Sequence, residues 1–88
     1  MTDGRWRAAP EALRFETLDA LTAVYHRPSG QTHLLAEPAP QILRALAEPM
    51  DAATLMARLS AEFAVEGDPE ELRARIEELA EAGLIAPA

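Results

Sequence analysis

Near its middle, this chain changes the spacing of its apolar residues, and that change narrows the fold more than any other feature. In "LRFETLD" (Leu13 to Asp19), Leu13, Phe15 and Thr17 alternate with Arg14 and Glu16, the two-residue period of a half-buried strand. "LTAVYH" (Leu21 to His26) carries the β-branched and aromatic residues that suit a pleated surface. Arg27-Pro28-Ser29-Gly30 then reads as a turn, with Pro28 fixing φ and Gly30 tolerating a left-handed exit. "QTHLLA" (Gln31 to Ala36) returns as the partner strand, and a loop of this length sets Tyr25 opposite Thr32 and Val24 opposite His33.

Beyond Ala36 the period lengthens to that of helices. A first helix is expected from near Pro38 to about Glu48, with Ile42, Leu43 and Leu46 inward and Pro49 as its stop. Asp51 is a suitable N-cap for a second, whose stripe is Leu55, Met56, Leu59 and Phe63. Gly67 separates it from a third. There Asp68 caps, Pro69 takes the first helical position, and Glu70 and Glu71 meet the positive end of the dipole. Leu72, Ile76 and Leu79 share one face, and Gly83 makes a left-handed stop. "LIA" after it returns as a short strand or pins the tail. The expected class is α+β: an N-terminal three-stranded antiparallel sheet followed by a three-helix bundle, in one domain over residues 1–88 with 1–12 loosely held.

Composition removes several functions. Eighty-eight residues leave little room to excavate a substrate cavity. With no cysteine there are no disulfides, iron–sulfur clusters or thiolate zinc sites. No run is apolar for long enough to span a bilayer, and "MTDGRWRAAP" lacks the apolar core of a signal peptide, so a cytoplasmic location is expected. The net charge of −7 is uneven: residues 1–50 hold five arginines against six acids, residues 51–88 three against nine. An acidic second half repels phosphate, which argues against nucleic acid. That includes a winged-helix DNA reader, whose third helix would press glutamates against the backbone. No polybasic stripe points to a membrane surface.

No catalytic or cofactor constellation stands out. His26 and His33 lie on neighbouring strands but not opposite one another, and two imidazoles are too few for a zinc site. Ser29 and Ser60 lack a convergent His–Asp pair, and the four glycines are too scattered to cradle a phosphate. An acyl-carrier role would need a serine in an Asp-Ser-Leu setting, which neither serine has. Glu70, Glu71, Glu77, Glu78 and Glu81 read as a solvated helix face, with Glu71–Arg75 and Arg73–Glu77 as i,i+4 pairs. The expectation is a protein without enzyme activity, metal or cofactor.

Binding by strand addition remains. An edge strand presents unpaired N–H and C=O groups, and an extended peptide can pair with them while a helix supplies side-chain pockets. Gln31, Thr32, His33, Leu34 and Leu35 lie in a run with no Pro or Lys to block such pairing. The third helix, set beside that edge, would floor a groove with Ile76 and Ala80 and rim it with Arg73 and Glu77. The competing reading covers the edge with the N-terminal segment or with a second copy of the chain, as a homodimer. Trp6 can serve either the sheet or the edge, and His33 either the core or a bound segment.

A β-rich first half followed by "LLAEPAPQILRAL", "LMARLSAEF" and "LRARIEELAEAGLI" resembles the PqqD family over roughly residues 13 to 86. "VYHRPSGQTHLL" with Trp6 ahead of it looks like the PqqD-like branch called the HPr-rel-A system, through Val24, Tyr25, Ser29, Gly30, Thr32, His33 and Leu35. Pro38 and Pro40 depart from the small or polar residues common there. The resemblance implies a winged-helix-like RiPP recognition element: a peptide chaperone that takes up the leader of a precursor peptide as an added strand. It would then present that leader to a modifying enzyme, often a radical-SAM protein. It also implies an HPr-kinase-related protein as a partner, and an alternative role as an adaptor docking on that protein without an extended peptide. Carried onto this chain, it assigns peptide binding to Gln31–Leu35 and to Arg73, Ile76, Glu77 and Ala80.

Overall fold

The structure, a computed structural model, describes residues 4–63 and 68–88. Gly67 and the side chain of Phe63 lie outside the described part. The class is α+β, a three-stranded antiparallel sheet with three helices. The strands of that sheet are β2 (Leu13–Leu18), β3 (Leu21–His26) and β4 (Gln31–Ala36), in that order across it. Two turns of different kinds set the registers. Asp19, at φ 54°, and Ala20 make a two-residue link that closes on Leu18–Leu21. The Arg27–Gly30 bend closes on His26–Gln31, with Gly30 at φ 73° donating its N–H to the His26 carbonyl at 2.9 Å. The second turn sets Val24 against His33 and Tyr25 against Thr32, as the loop length predicts.

Residues directly opposite in an antiparallel pair share a face, so the register sorts the sheet into two sides. Leu13, Phe15, Thr22, Val24, His33 and Leu35 belong to the inner side, where Val24 is fully buried. The outer side carries Leu18, Leu21, Ala23, Tyr25, Leu34 and Ala36, and no helix among the described residues buries Leu18 or Leu34.

The helices are α1 (Ala39–Ala45), α2 (Ala52–Phe63) and α3 (Pro69–Glu81). The first is shorter than its apolar pattern predicts, and its ends show why. Pro38 occupies the N-cap, and after Ala45 the bonds tighten to i→i−3 links from Ala47 N–H and Glu48 N–H before Pro49 ends the run. Ile42, Leu43 and Leu46 nonetheless reach the centre of the core together with Leu55. Arg44 lies 4.8 Å over the Phe15 ring and helps α1 cover the inner side of the sheet.

The two later helices begin at the expected aspartates. Thr54 N–H donates to Asp51 Oδ1 at 2.8 Å, and Glu71 N–H donates to Asp68 Oδ1 at 2.9 Å. Gly83, at φ 80°, ends α3 in a Schellman turn, with Leu84 N–H reaching the Leu79 carbonyl at 3.0 Å. Leu72, Ile76 and Leu79 are buried as one stripe. On the exposed side Arg75 pairs forward with Glu78, at 3.0 Å, where the i,i+4 rule pairs it back with Glu71.

The chain's two ends meet in an element that residue periodicity does not show. Trp6–Arg7 (β1) pairs antiparallel with Ala86–Pro87 (β5) in a separate two-stranded ribbon. Trp6 also exchanges backbone bonds with Met50, at 2.9 and 3.1 Å, and Ala8 N–H donates to the Leu46 carbonyl at 2.8 Å. From Trp6 onward the segment expected to be loose is thus tied into the fold, with Ala8 1% exposed. "LIA" does lead into a strand, and β1 is its partner.

Candidate functional site

β4 is the candidate site because it is an edge. Among the described residues its only strand partner is β3. Neither Trp6–Arg7 nor Ala86–Pro87 adds to it, because those two segments pair with each other. Trp6 is half-buried against the core and bridges to Met50, away from this edge.

Register fixes which backbone groups of β4 face outward. A central strand alternates its bonds between its two neighbours. The Leu18–Leu21 closing pair gives Leu21, Ala23 and Tyr25 to β2 and leaves Thr22, Val24 and His26 for β4. On β4, Gln31, His33 and Leu35 therefore face β3, while Thr32, Leu34 and Ala36 turn their N–H and C=O groups outward. The His26–Gln31 closing pair of the second turn gives the same phase. Residue names alone do not reveal this division, since it depends on both turns.

The side chains divide in the same way. Gln31 and Thr32 are exposed, and Leu34 is 62% exposed on the outer side. Leu35 is half-buried against the core, and His33 faces inward between its neighbours. Among the described residues the buried His33 Nε2 has no hydrogen-bond partner, nor has Gln41 Oε1 on α1, the helix packed against β4. Register thus puts the His33 side chain on the inner side of the sheet, beside Val24.

α3 packs on α2 and α1, and the helix in substantial contact with β4 is α1. Ile76, expected on the groove floor, is 3% exposed and lies within the core. Ala80 is half-buried against the same core, while Arg73 and Glu77 are exposed. Helical spacing correctly put Ile76 on the apolar stripe, but spacing does not say which neighbour that stripe meets.

A second concave feature was not anticipated. A cavity of about 160 Å³ lies where β1–β5 crosses the start of β2 and the end of β3, and its lining includes Arg7, Leu13, His26, Leu84 and Ala86. Among the described residues no group of three or more His, Asp or Glu is arranged to hold a metal ion, and no helix is long and apolar enough to cross a membrane. No family model, curated protein or solved structure matches this chain.

Proposed function

We propose that this chain is a winged-helix-like, non-catalytic peptide chaperone. It takes up an extended segment of a precursor or leader peptide along β4 and presents it to a modifying enzyme in the cytoplasm, the role implied by its resemblance to the PqqD family. One observation carries the reading: among the described residues the outer edge of β4 has no partner strand, its six residues include no proline, lysine or carboxylate, and edges left this bare are ones that natural sheets ordinarily protect.

Magnitudes indicate what else the peptide must find. Three outward residues offer one N–H and one C=O each, and at a net ~1 kcal/mol per bond a full ladder is worth roughly 6 kcal/mol. Ordering a flexible peptide costs about 2–5 kcal/mol, and association itself costs more. Backbone pairing alone therefore gives weak binding, and the difference must come from side chains. Burying Leu34 against an apolar residue of the guest adds roughly 1–2 kcal/mol. The guest is expected to be apolar where it neighbours Leu34.

Selection from a displayed library of random peptides about twice the strand length, followed by NMR with isotope-labelled protein, tests the reading. Selected peptides should shift the amides of Thr32, Leu34 and Ala36 and give inter-strand contacts across that edge. Shifts confined to residues 4–12 or to the helices would count against it. A second reading, an adaptor docking on an HPr-kinase-related partner, is favoured by the exposed glutamates of α3. It predicts that reversing Glu77 and Glu81 to lysine abolishes that partner's binding while peptide capture survives.

A further inference from the structure

We propose that the cavity under the β1–β5 ribbon binds a small carboxylate carried on an apolar body. No residue of β4 lines the site, which stands independently of any peptide on that strand.

The cavity's lining opposes the charge of the protein. The chain has a net charge of −7, yet no Asp or Glu lines this cavity, and its charged or polar side chains are Arg7 and His26. The Asp and Glu side chains nearest in sequence to the lining, Glu11 and Glu81, are exposed and outside it. Arg7 takes part in no ion pair among the described residues, in contrast to Arg58 with Glu62 and Arg75 with Glu78. Arg7 and Ala86 are register partners and share one face of the ribbon, and both line the cavity.

His26 is the second polar side chain of the lining. It pairs with Leu13, so its side chain lies on the inner side of the sheet, toward the cavity that both residues line. Its Nδ1 is 2.7 Å from Ser29 Oγ, while the His26 carbonyl is 3.5 Å from that oxygen. Ser29 Oγ also accepts the N–H of Gln31 at 3.3 Å. The Ser29 contact anchors Nδ1 and fixes the orientation of the ring. A guanidinium, joined by an imidazole that donates from Nε2 when the ring is protonated, suits a carboxylate.

Size and lining set the rest of the ligand. Ala9, Ala12, Leu84 and Ile85 make most of the remaining surface apolar. A volume of about 160 Å³ is close to a cavity that holds benzene, and well below the ~300 Å³ at which drug-sized sites begin. Free small acids and the C-terminal carboxylate of a peptide share the required chemistry.

NMR titration of the full chain with benzoate, against benzamide as its uncharged counterpart, tests the site. Benzoate should give saturable shifts at Arg7, the His26 ring, Leu84 and Ala86, and benzamide should not. Arg7→Gln, on an exposed residue, should keep the dispersed spectrum and weaken benzoate by at least about tenfold. Leu34→Pro should leave benzoate binding unchanged. No saturable shift by about 50 mM benzoate, an equal response to benzamide, or full binding by Arg7→Gln would each overturn the proposal. A short peptide ending in leucine distinguishes the sources: tighter binding than benzoate, lost on amidation, assigns a chain end, and weaker binding assigns free acids.

Discussion

The two edges of the sheet have the same length and very different protection. β2 and β4 each run six residues, and each turns one row of backbone groups away from β3. On β2 that row belongs to Leu13, Phe15 and Thr17, flanked on the outer side by Arg14 and Glu16 and on the inner side by Arg44 over Phe15. A strand arriving there would have to strip water from three charged groups. β4 has no such guard, and its most exposed residue is Leu34. Sheets blunt their edges with charge to avoid unwanted pairing, so protecting one edge and leaving the other bare marks the bare one as the edge for pairing.

Matched prolines give the largest effect and the most direct way to break this contrast. Leu34 and Thr17 both turn their N–H groups outward, so proline at either removes no bond to β3, and edge strands tolerate proline there. Leu34→Pro is expected to weaken captured peptides by about 100-fold or more, since it removes a ladder donor and crowds the guest strand. Thr17→Pro should alter that affinity by less than about threefold. Calorimetric titration of both variants, with circular dichroism to establish that each is folded, measures the difference. Equal losses would mean that the two edges do not differ as their charges imply.

Much of this contrast was legible in the sequence, because its signals are local. The Pro-Ser-Gly bend fixed which residues face each other, and Asp51, Asp68 and Gly83 marked helix ends within a few residues of their partners. The β1–β5 ribbon was not legible: a two-residue strand has no period, and its partner lies at the other end of the chain. Missing it hid why the N-terminal segment leaves β4 open and hid the cavity beneath the ribbon. The packing partners of α3 were hidden for a related reason, since a stripe at helical spacing declares burial without naming the neighbour.

Stability should separate the centre of the sheet from its bare edge by a smaller margin. Val24 is 0% exposed and Leu34 62% exposed. Val24→Ala removes two buried methyl groups and leaves a cavity, so a loss of about 2 kcal/mol is expected. Leu34→Ala deletes more atoms but should change stability by less than about 0.5 kcal/mol. Urea unfolding with unchanged slopes measures both. A large loss at Leu34 would mean that the outer side is covered in solution, in which case the edge beside it is not free.

The smallest effect lies in acid and ties the edge contrast to the rest of the molecule. The Asp51 carboxyl is held below its ordinary value, first by the backbone hydrogen bond from Thr54, then by the Thr54 side chain, and also by the charge of Arg5. A carboxyl with a depressed folded value contributes stability above its unfolded value and loses it as pH falls through the folded one. Stability should therefore decline as pH drops below about 4. Asp51→Asn, which still caps but does not titrate, should flatten that decline. Arg5 precedes Trp6, whose backbone bonds to Met50 place the N-terminal segment beside this cap. Acid then loosens α2 and the N-terminal clamp together, far from either sheet edge. Leu34→Pro and Thr17→Pro should accordingly follow the wild-type acid profile in parallel. A steeper profile in only one of them would mean that its edge is coupled to the clamp, and the two edges would then differ in fold as well as in charge.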